Sequence, residues 1–166
     1  FTLSTIGIDG YPRGRVVLLK SYDSEGFIFY TNYNSSKGFD IKNNPNVCMS
    51  FFWSQDERQI IIKGSASKVP NAVSDKYFDS RPLESRLGAM VSDQSNIISD
   101  RKILDSNLKK LKEKYKVTDP KRPKYWGGYL IIPNSFEFWQ GRPNRLHDRI
   151  LYTQENNYWI KSRLSP

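Results

Sequence analysis

The 166-residue sequence has almost no cysteine or histidine and lacks any long apolar run. Cys48 is the only cysteine and His147 the only histidine, which excludes an internal disulfide and a thiolate metal cage. No window reaches the roughly 18 consecutive apolar residues of a membrane-spanning helix, and the sequence does not open with a signal peptide. These absences predict a cytoplasmic protein with no metal site and no membrane partner.

Two common catalytic patterns are also missing. The sequence has neither a G-x-G-x-x-G nor a Walker phosphate loop, and its strand-rich pattern does not suit a Rossmann unit. His147 and Asp148 are neighbours, so on a strand they would point to opposite faces and could not orient each other in a hydrolytic triad.

Positive charge and aromatic rings are abundant instead. Lys and Arg number 26 against 17 Asp and Glu, which gives a net charge of +9, and aromatic residues make up 14% of the chain. This charge favours an anionic partner such as a phosphorylated metabolite, a nucleic acid or a membrane surface. The length predicts one domain spanning 1–166.

Hydrophobic periodicity predicts a mainly β protein with a few helices. Alternating runs separated by turn residues predict antiparallel strands at TLSTIGI, RVVLLKSY, GFIFYTN, VCMSFFW, RQIIIKGSASKV, WGGYLIIP, SFEFWQG, DRILYT and YWIKSRL. Their short spacing favours a closed or nearly closed barrel. Helices are predicted from about 35 to 43, over 71–91 with an interruption at Arg81-Pro82, and over 99–115.

Residues 137–149, EFWQGRPNRLHDR, combine three arginines with a tryptophan and the single histidine. If the end of this stretch is a strand, Arg145, His147 and Arg149 lie on one face. Two guanidiniums beside an imidazole repel one another unless an anionic or electron-rich group lies against them. The stretch therefore predicts a binding site.

Two further patterns suit a phosphate. NSSKG, at 34–38, places hydroxyls and Lys37 at a helix start, where the macrodipole favours an anion, although an ordinary N-cap with a solvated lysine would look the same. Tyr77, Arg81 and Ser85 recur every four residues and offer a phenol, a guanidinium and a hydroxyl to a phosphomonoester. Pro82 interrupts this spacing, so the three side chains must converge through a turn or the match is accidental.

Other polar residues suit a flat ring or a charged ligand. Arg15 and Lys20 bracket an apolar VVLL run and, by their odd separation, lie on opposite faces of a regular strand; charged ends of a buried strand are the alternative explanation. Amide, hydroxyl and ring groups of the kind that bind a heteroaromatic cofactor occur at Gln59, Gln94, Ser95 and Trp139.

Taken together, these segments resemble the pyridoxamine 5'-phosphate oxidase family. The resemblance extends in order from about residue 12 to 166, and its most specific parts are YFDSRPLES, FWQG and RLHDR. It implies an FMN-binding split β-barrel, antiparallel and Greek-key-like, that forms a homodimer with FMN sites built from both subunits. It also implies oxidation of pyridoxamine or pyridoxine 5'-phosphate to pyridoxal 5'-phosphate, with reduction of O2 to H2O2.

The resemblance also assigns residues to roles. FMN contacts fall on Arg15, Val16, Val17, Leu18, Leu19, Lys20, Tyr30, Thr31, Ser36, Lys37, Gln59, Gln94, Ser95, Trp139 and Arg149. Substrate contacts fall on Lys20, Tyr77, Arg81, Ser85, Arg145 and His147, of which Arg145 and His147 are the catalytic candidates. Ser36 stands where family members often carry arginine, which predicts weaker FMN retention. The family's N-terminal segment is expected upstream of Phe1.

Two alternatives stay open at this point. A split-barrel flavoprotein could act on another substrate, but the combination of Tyr77, Arg81 and Ser85 with RLHDR is more than a flavin alone requires. A basic nucleic-acid-binding barrel would share the charge and the stacking rings. Its arginines would form a stripe, whereas here they lie in compact clusters of mixed charge.

Overall fold

The computed structural model describes all residues, 1–166, and contains nine strands and four α-helices. The strands are β1 (Thr2–Ile6), β2 (Pro12–Val16), β3 (Ser21–Tyr22), β4 (Phe27–Asn32), β5 (Asn46–Trp53), β6 (Arg58–Lys68), β7 (Trp126–Gln140), β8 (Asp148–Glu155) and β9 (Tyr158–Leu164). The helices are α1 (Ser36–Asn43), α2 (Asn71–Ser80), α3 (Leu83–Val91) and α4 (Lys102–Lys114). None of the helices has the length and apolar character needed to span a bilayer.

The strands form one sheet in the order β2-β1-β5-β6-β7-β4-β3, and β8 pairs with both β7 and β9. The pairings of β1 with β2 and β5, of β5 with β6, and of β8 with β7 and β9 are antiparallel. The prediction of a mainly antiparallel β fold with helices is therefore confirmed. The barrel is less closed than predicted, because β2 and the two-residue β3 end the sheet without pairing to each other.

Turn residues explain the tight hairpins. Asn156 and Asn157, between β8 and β9, both have positive φ angles, 49° and 67°. A two-residue turn of this kind matches the twist of antiparallel strands, and asparagine tolerates the left-handed conformation better than most residues. Gly10, with φ +80°, serves the turn between β1 and β2.

Two strand predictions were wrong in their bounds. WGGYLIIP and SFEFWQG form the single 15-residue strand β7, which continues through Pro133, because proline ends a strand only where pairing needs its missing N–H. RVVLLKSY is divided, since residues 17–20 lie between β2 and β3. Exposure still alternates across 15–20, so Arg15 and Lys20 keep the opposite facing that the spacing predicts.

The chain groups into two compact units. One, which we call the strand unit, comprises residues 1–29, 40–67 and 130–166; the other, the helical unit, comprises 30–39 and 68–129. The prediction of a single domain stays a prediction.

Period-two burial builds the core of the strand unit. Leu3 and Met49 are fully buried, and Val47 and Ile62 nearly so, because alternate residues of β1, β5 and β6 point to the same face. Each such side chain contributes roughly 1.5–3 kcal/mol when it leaves water.

Helix breaks organise the helical unit. The predicted interruption at Arg81-Pro82 is confirmed: α2 ends at Ser80 and α3 begins at Leu83, since the residue before proline avoids helical backbone. Helix α4 begins three residues later than predicted, where the Asp100 carboxylate accepts the Lys102 N–H at 2.9 Å.

Candidate active site

The predicted site residues divide between the two units. The strand unit holds Arg15, Val16, Val17, Leu18, Leu19, Lys20, Gln59, Trp139, Arg145, His147 and Arg149. The helical unit holds Tyr30, Thr31, Ser36, Lys37, Tyr77, Arg81, Ser85, Gln94 and Ser95. Each group is described within its own unit.

A cluster of polar groups surrounds the start of α1. The Lys37 ammonium lies 3.2 Å from each of three oxygens, those of Thr31, Ser35 and Gln94. The Ser36 backbone N–H donates to the Ser95 hydroxyl at 3.1 Å. The fold thus brings Thr31, Lys37 and Gln94 together in one cluster, and Ser36 and Ser95 together in another contact.

This cluster suits a phosphate ester. It combines a lysine cation, hydroxyl groups and the N-terminal turn of an eight-residue helix, all of which stabilise an oxyanion. Ser95 has a φ of +78°, a left-handed conformation that costs a residue with a side chain about 1 kcal/mol or more. Such strain is typical of positions that a binding site holds in place.

Stacked rings form the second feature of the helical unit. The Tyr30 and Tyr77 rings lie 3.8 Å apart at 16°, and both are nearly parallel to the Trp126 indole, at 5.6 and 6.2 Å. The Arg81 guanidinium carbon lies 4.6 Å from the centre of the same indole, a cation–π distance. Trp126 therefore joins two of the predicted substrate contacts.

Arg81 has an unmet hydrogen-bonding requirement. Its Nη1 atom is buried without a hydrogen-bond partner, and burial lowers the pKa of its guanidinium. A buried guanidinium nitrogen without an acceptor is costly, so this position favours an anion. Ser85 lies one turn further on in α3, where its N–H donates to the Pro82 carbonyl at 2.9 Å. No contact joins the Ser85 side chain to Arg81. The fold therefore brings Tyr77 and Arg81 together at Trp126, as predicted, but not Ser85.

In the strand unit, Arg15 belongs to a charged network around a buried carboxylate. Asp40, only 3% exposed, pairs with Arg13 at 3.2 Å and Arg15 at 3.5 Å and accepts the Thr5 hydroxyl at 2.6 Å. Arg15 also donates to Thr5 at 2.6 Å. Arg13 also pairs with Asp9 at 2.7 Å, so two guanidiniums meet two carboxylates in this network, and burial lowers the pKa of Arg15.

The apolar run that follows Arg15 is unusually exposed. Val16 and Leu18 are 80% and 66% exposed, while Val17 and Leu19 are half-buried and Lys20 is exposed. The backbone is held by bonds from Val17 N–H to Phe1 O and from Lys20 N–H to Ile28 O, both 2.9 Å. A fixed segment with exposed apolar side chains is suited to covering a ligand or a partner.

The stretch 137–149 does not form the predicted continuous strand face. β8 begins only at Asp148, and Pro143–Arg145 form a 3-10 turn. Arg145 itself has a φ of +62°. The prediction that Arg145, His147 and Arg149 share a strand face was therefore wrong, because Pro143 and the left-handed Asn144 and Arg145 reverse the chain before β8 starts.

The turn still orients the imidazole of His147. Its Nδ1 accepts the Arg142 backbone N–H at 3.1 Å, and its ring lies 4.8 Å from that of Trp139. Because Nδ1 is an acceptor, the neutral ring carries its proton on Nε2. His147 thus presents a hydrogen-bond donor at its outer nitrogen.

Arg145 and Arg149 differ in their environments. Arg145 is exposed, and its guanidinium forms no hydrogen bond or ion pair within the chain. Arg149 donates to Glu137 at 2.8 Å and to the Ser165 carbonyl at 3.0 Å, and the hydrogen bond to Glu137 raises its pKa. Arg149 is therefore fixed in place, whereas Arg145 is available to a ligand.

Gln59 and Trp139 line one small cavity of about 270 Å³. Trp53, Ile60, Phe138 and Ile150 give it apolar walls, and Asp148 also lines it. Trp139 pairs across the strands with Arg149, so two of the predicted flavin contacts are neighbours.

Sequence reasoning missed Trp126 and Arg122. Trp126 is 6% exposed and carries the stacked rings, yet a tryptophan at a strand start normally indicates only core. Arg122 donates to the Trp126 carbonyl at 2.6 Å. Its position in a proline-containing connector gave no periodic signal that would have revealed this contact.

Two family models match the chain. One, described as pyridoxamine 5'-phosphate oxidase, matches residues 1–115. The other, described as the pyridoxine 5'-phosphate oxidase C-terminal dimerisation region, matches residues 126–166.

Similar proteins come from several bacteria. The pyridoxine/pyridoxamine 5'-phosphate oxidase of Flavobacterium johnsoniae is 59% identical over 165 residues, which cover 99% of this chain and 77% of the relative. The protein of the same name from Haemophilus influenzae is 50% identical over 164 residues, covering 99% and 78%.

Solved structures agree in fold. PhzG from Burkholderia lata, in complex with tetrahydrophenazine-1-carboxylic acid, has a TM-score of 0.93 at 29% identity, covering 99% of this chain and 81% of PhzG. An FMN binding protein related to pyridoxamine 5'-phosphate oxidase, from Nostoc punctiforme, has a TM-score of 0.77 over 99% of this chain and 87% of its own. At 14% identity, the second likeness concerns the fold alone.

Proposed function

Because this chain belongs to the pyridoxamine 5'-phosphate oxidase family, we propose that it binds FMN and oxidises pyridoxamine or pyridoxine 5'-phosphate to pyridoxal 5'-phosphate. With pyridoxine 5'-phosphate, one O2 is consumed and one H2O2 released. With pyridoxamine 5'-phosphate, one water is also consumed and one ammonia leaves. FMN, when bound, supplies the two-electron redox chemistry, and the protein supplies binding and orientation.

The buried Nη1 atom of Arg81 is the observation that carries the proposal. It lacks a partner within the chain while its guanidinium lies over Trp126. A substrate phosphate would provide the acceptor and the opposite charge together. Tyr77, whose ring is parallel to the same indole, and Ser85 would complete the phosphate site.

The polar groups at the start of α1 fit the phosphate of FMN. We assign it to Lys37, Ser95 and the backbone of Ser36; the family resemblance also assigns an FMN contact to Arg15. The donor set supports this, since it combines a lysine with hydroxyls at a helix start. The remaining assigned contacts to the cofactor are Val16, Val17, Leu18, Leu19, Lys20, Tyr30, Thr31, Gln59, Gln94, Trp139 and Arg149.

Arg145 and His147 would orient the substrate ring. Arg145 has an unoccupied guanidinium on a turn fixed by left-handed residues, which suits a contact with an electron-rich ring. His147 would donate from Nε2, because its Nδ1 already accepts the Arg142 N–H. His147 would therefore bind the substrate without removing a proton from it. Lys20 is the further substrate contact.

The chain forms a homodimer, as the C-terminal dimerisation region at 126–166 indicates. We further propose that both subunits contribute to each FMN site. Exposed apolar side chains of the strand unit, such as Val16, Leu18 and Phe52, support this, since a partner or a ligand would remove them from water.

An oxidase assay tests the proposed function. Purified protein loaded with FMN should form pyridoxal 5'-phosphate and H2O2 in equal amounts from pyridoxine 5'-phosphate, and release ammonia only from the amine substrate. A protein that binds FMN but oxidises neither ester would instead be a flavoprotein for another substrate. No structural observation favours nucleic-acid binding. The cytoplasmic location stays a prediction, which fractionation of the source cells tests.

A further inference from the structure

Arg122 is the most extensively bonded arginine of the helical unit. Its side chain is 7% exposed and donates to the Asp75 carboxylate at 2.6 Å, the Asn71 side-chain oxygen at 3.1 Å and the Trp126 carbonyl at 2.6 Å. Asn71 and Asp75 lie on α2, whereas Trp126 is the first residue of β7. One planar guanidinium therefore ties the start of a helix to the start of a strand.

Trp126 connects this clamp to the proposed phosphate site. Its indole packs edge-on against Phe78 at 5.3 Å, lies parallel to Tyr77, and supports the Arg81 guanidinium at 4.6 Å. Tyr77 and Phe78 lie on α2, and Arg81 is the residue directly after it. Arg122 bonds the first two turns of the same helix. Arg122 thus contacts both the residue whose ring lies beneath Arg81 and the helix that leads to Arg81.

We propose that Arg122 is a positioning residue for the substrate phosphate, acting through Trp126 on Arg81. The inference rests on the proposed function for its ligand. Arg122 does not touch the substrate; it fixes the backbone of Trp126 so that the indole holds the guanidinium of Arg81 in the orientation that the phosphate needs. A second side chain of α2, Ser74, accepts the Gly128 N–H at 3.1 Å, but only Arg122 bonds the Trp126 carbonyl itself.

Lysine would not replace Arg122. An ammonium group is a point charge that could stay with Asp75, but it lacks the planar fork that reaches Asn71 and the Trp126 carbonyl at the same time. Arg122→Lys therefore keeps the positive charge at this position but removes the simultaneous bonds to Asn71 and the Trp126 carbonyl.

Arg86 offers a matched control. It is also a nearly buried arginine of the helical unit, with a side chain 11% exposed, and it holds the connector through Asp119 at 3.1 Å. It does not contact Trp126. Arg86→Met thus removes this ion pair, together with an Nε atom that is buried without a partner, from a position outside the contacts of Trp126.

The experiment measures binding of pyridoxine 5'-phosphate to the protein loaded with reduced FMN by calorimetry without oxygen, so that the ester binds but is not oxidised, together with KM and kcat in air. Arg122→Met should raise both Kd and KM about tenfold while kcat changes little. Arg86→Met should change neither by more than about twofold. FMN content should match the wild type in both variants.

A double-variant cycle separates positioning from general destabilisation. In the Arg81→Ala background, Arg122→Met should weaken substrate binding by less than about twofold, because the group that it positions is gone. An equal loss with and without Arg81, or an unchanged Kd in Arg122→Met, would overturn the inference. If Arg122→Met does not fold, Arg122→Lys is used, and unchanged substrate affinity in that variant has the same meaning. Wild-type binding without turnover would instead contradict the proposed function alone.

Discussion

The guanidinium carbon of Arg81 lies 4.6 Å from the centre of the Trp126 ring, while its Nη1 atom is buried without a hydrogen-bond partner. The indole stabilises the positive charge of the guanidinium from one face, but the N–H groups of Nη1 at its edge still lack an acceptor. The folded protein thus holds a cation ready for an anion. This relationship makes Arg81 the first residue to test.

Replacing Arg81 with alanine should chiefly weaken substrate binding. Loss of charge-assisted bonds to a phosphate costs about 2–3 kcal/mol, which corresponds to a rise in KM of roughly 30- to 150-fold. Turnover at saturating substrate should fall much less, because the reacting end of the substrate is not touched. Steady-state kinetics with pyridoxine 5'-phosphate measure this, and an unchanged KM would refute the assignment.

Arg145→Ala should act in the opposite way, on turnover. The substrate would still be held by its phosphate, but its ring would lose a positioning contact, and misplacement of about 1 Å costs on the order of 100-fold in rate. FMN should stay bound at the wild-type level. Arg142→Ala is the matched control, since Arg142 is exposed on the same turn and its backbone N–H to His147 is kept. Near-normal kcat in Arg145→Ala would exclude the proposed role.

Lys37 should determine how tightly FMN is retained. Lys37→Met removes the cation from the cluster at the start of α1, and we expect FMN to bind about tenfold or more weakly. Lys42→Met, an exposed change in the last turn of the same helix, should leave affinity unaltered. Titration of the FMN-free protein by flavin fluorescence measures both, and equal affinities in the two variants would rule out the assignment.

Ser36→Arg should strengthen the retention of FMN, in contrast to Lys37→Met. It introduces the guanidinium that the family resemblance predicts at this position, so FMN should dissociate more slowly than from the wild type. The same fluorescence experiment, followed as release after dilution, tests this. Faster release would mean that Ser36 does not face the cofactor phosphate.

Local patterns predicted most of the fold because they depend on neighbouring residues. The bounds of β5 and β6 followed from alternation, and the break between α2 and α3 followed from Pro82. Pro133 misled the same reasoning, because whether its missing N–H matters depends on a partner strand that the sequence does not display.

Sequence patterns predicted which residues belong to the site better than they predicted the geometry of those residues. Lys37 lies at a helix start as the NSSKG pattern predicted. The left-handed turn at Arg145 could not be anticipated, since residues other than glycine rarely adopt that conformation. Trp126 and Arg122 were missed because their roles come from contacts that span dozens of residues, such as the one between Arg122 and Asp75.

Tyr129 predicts how stability changes at alkaline pH. Its side chain is 2% exposed, and burial raises its pKa from 10.0 to about 12. The unfolded chain therefore releases this proton first, so the stabilising effect is complete below pH 10.0 and is lost as pH rises towards 12. Over that interval the wild type should lose about 2 kcal/mol more unfolding free energy than Tyr129→Phe. Denaturant unfolding at several pH values measures the difference, and identical alkaline slopes would contradict the prediction.

The most direct test of the account is the visible absorbance of the FMN-loaded protein during addition of pyridoxamine 5'-phosphate without oxygen. We expect the yellow colour to bleach as pyridoxal 5'-phosphate forms and to return when air is admitted. A preparation that stays colourless after incubation with FMN, or one whose colour persists in the presence of the substrate, would contradict it.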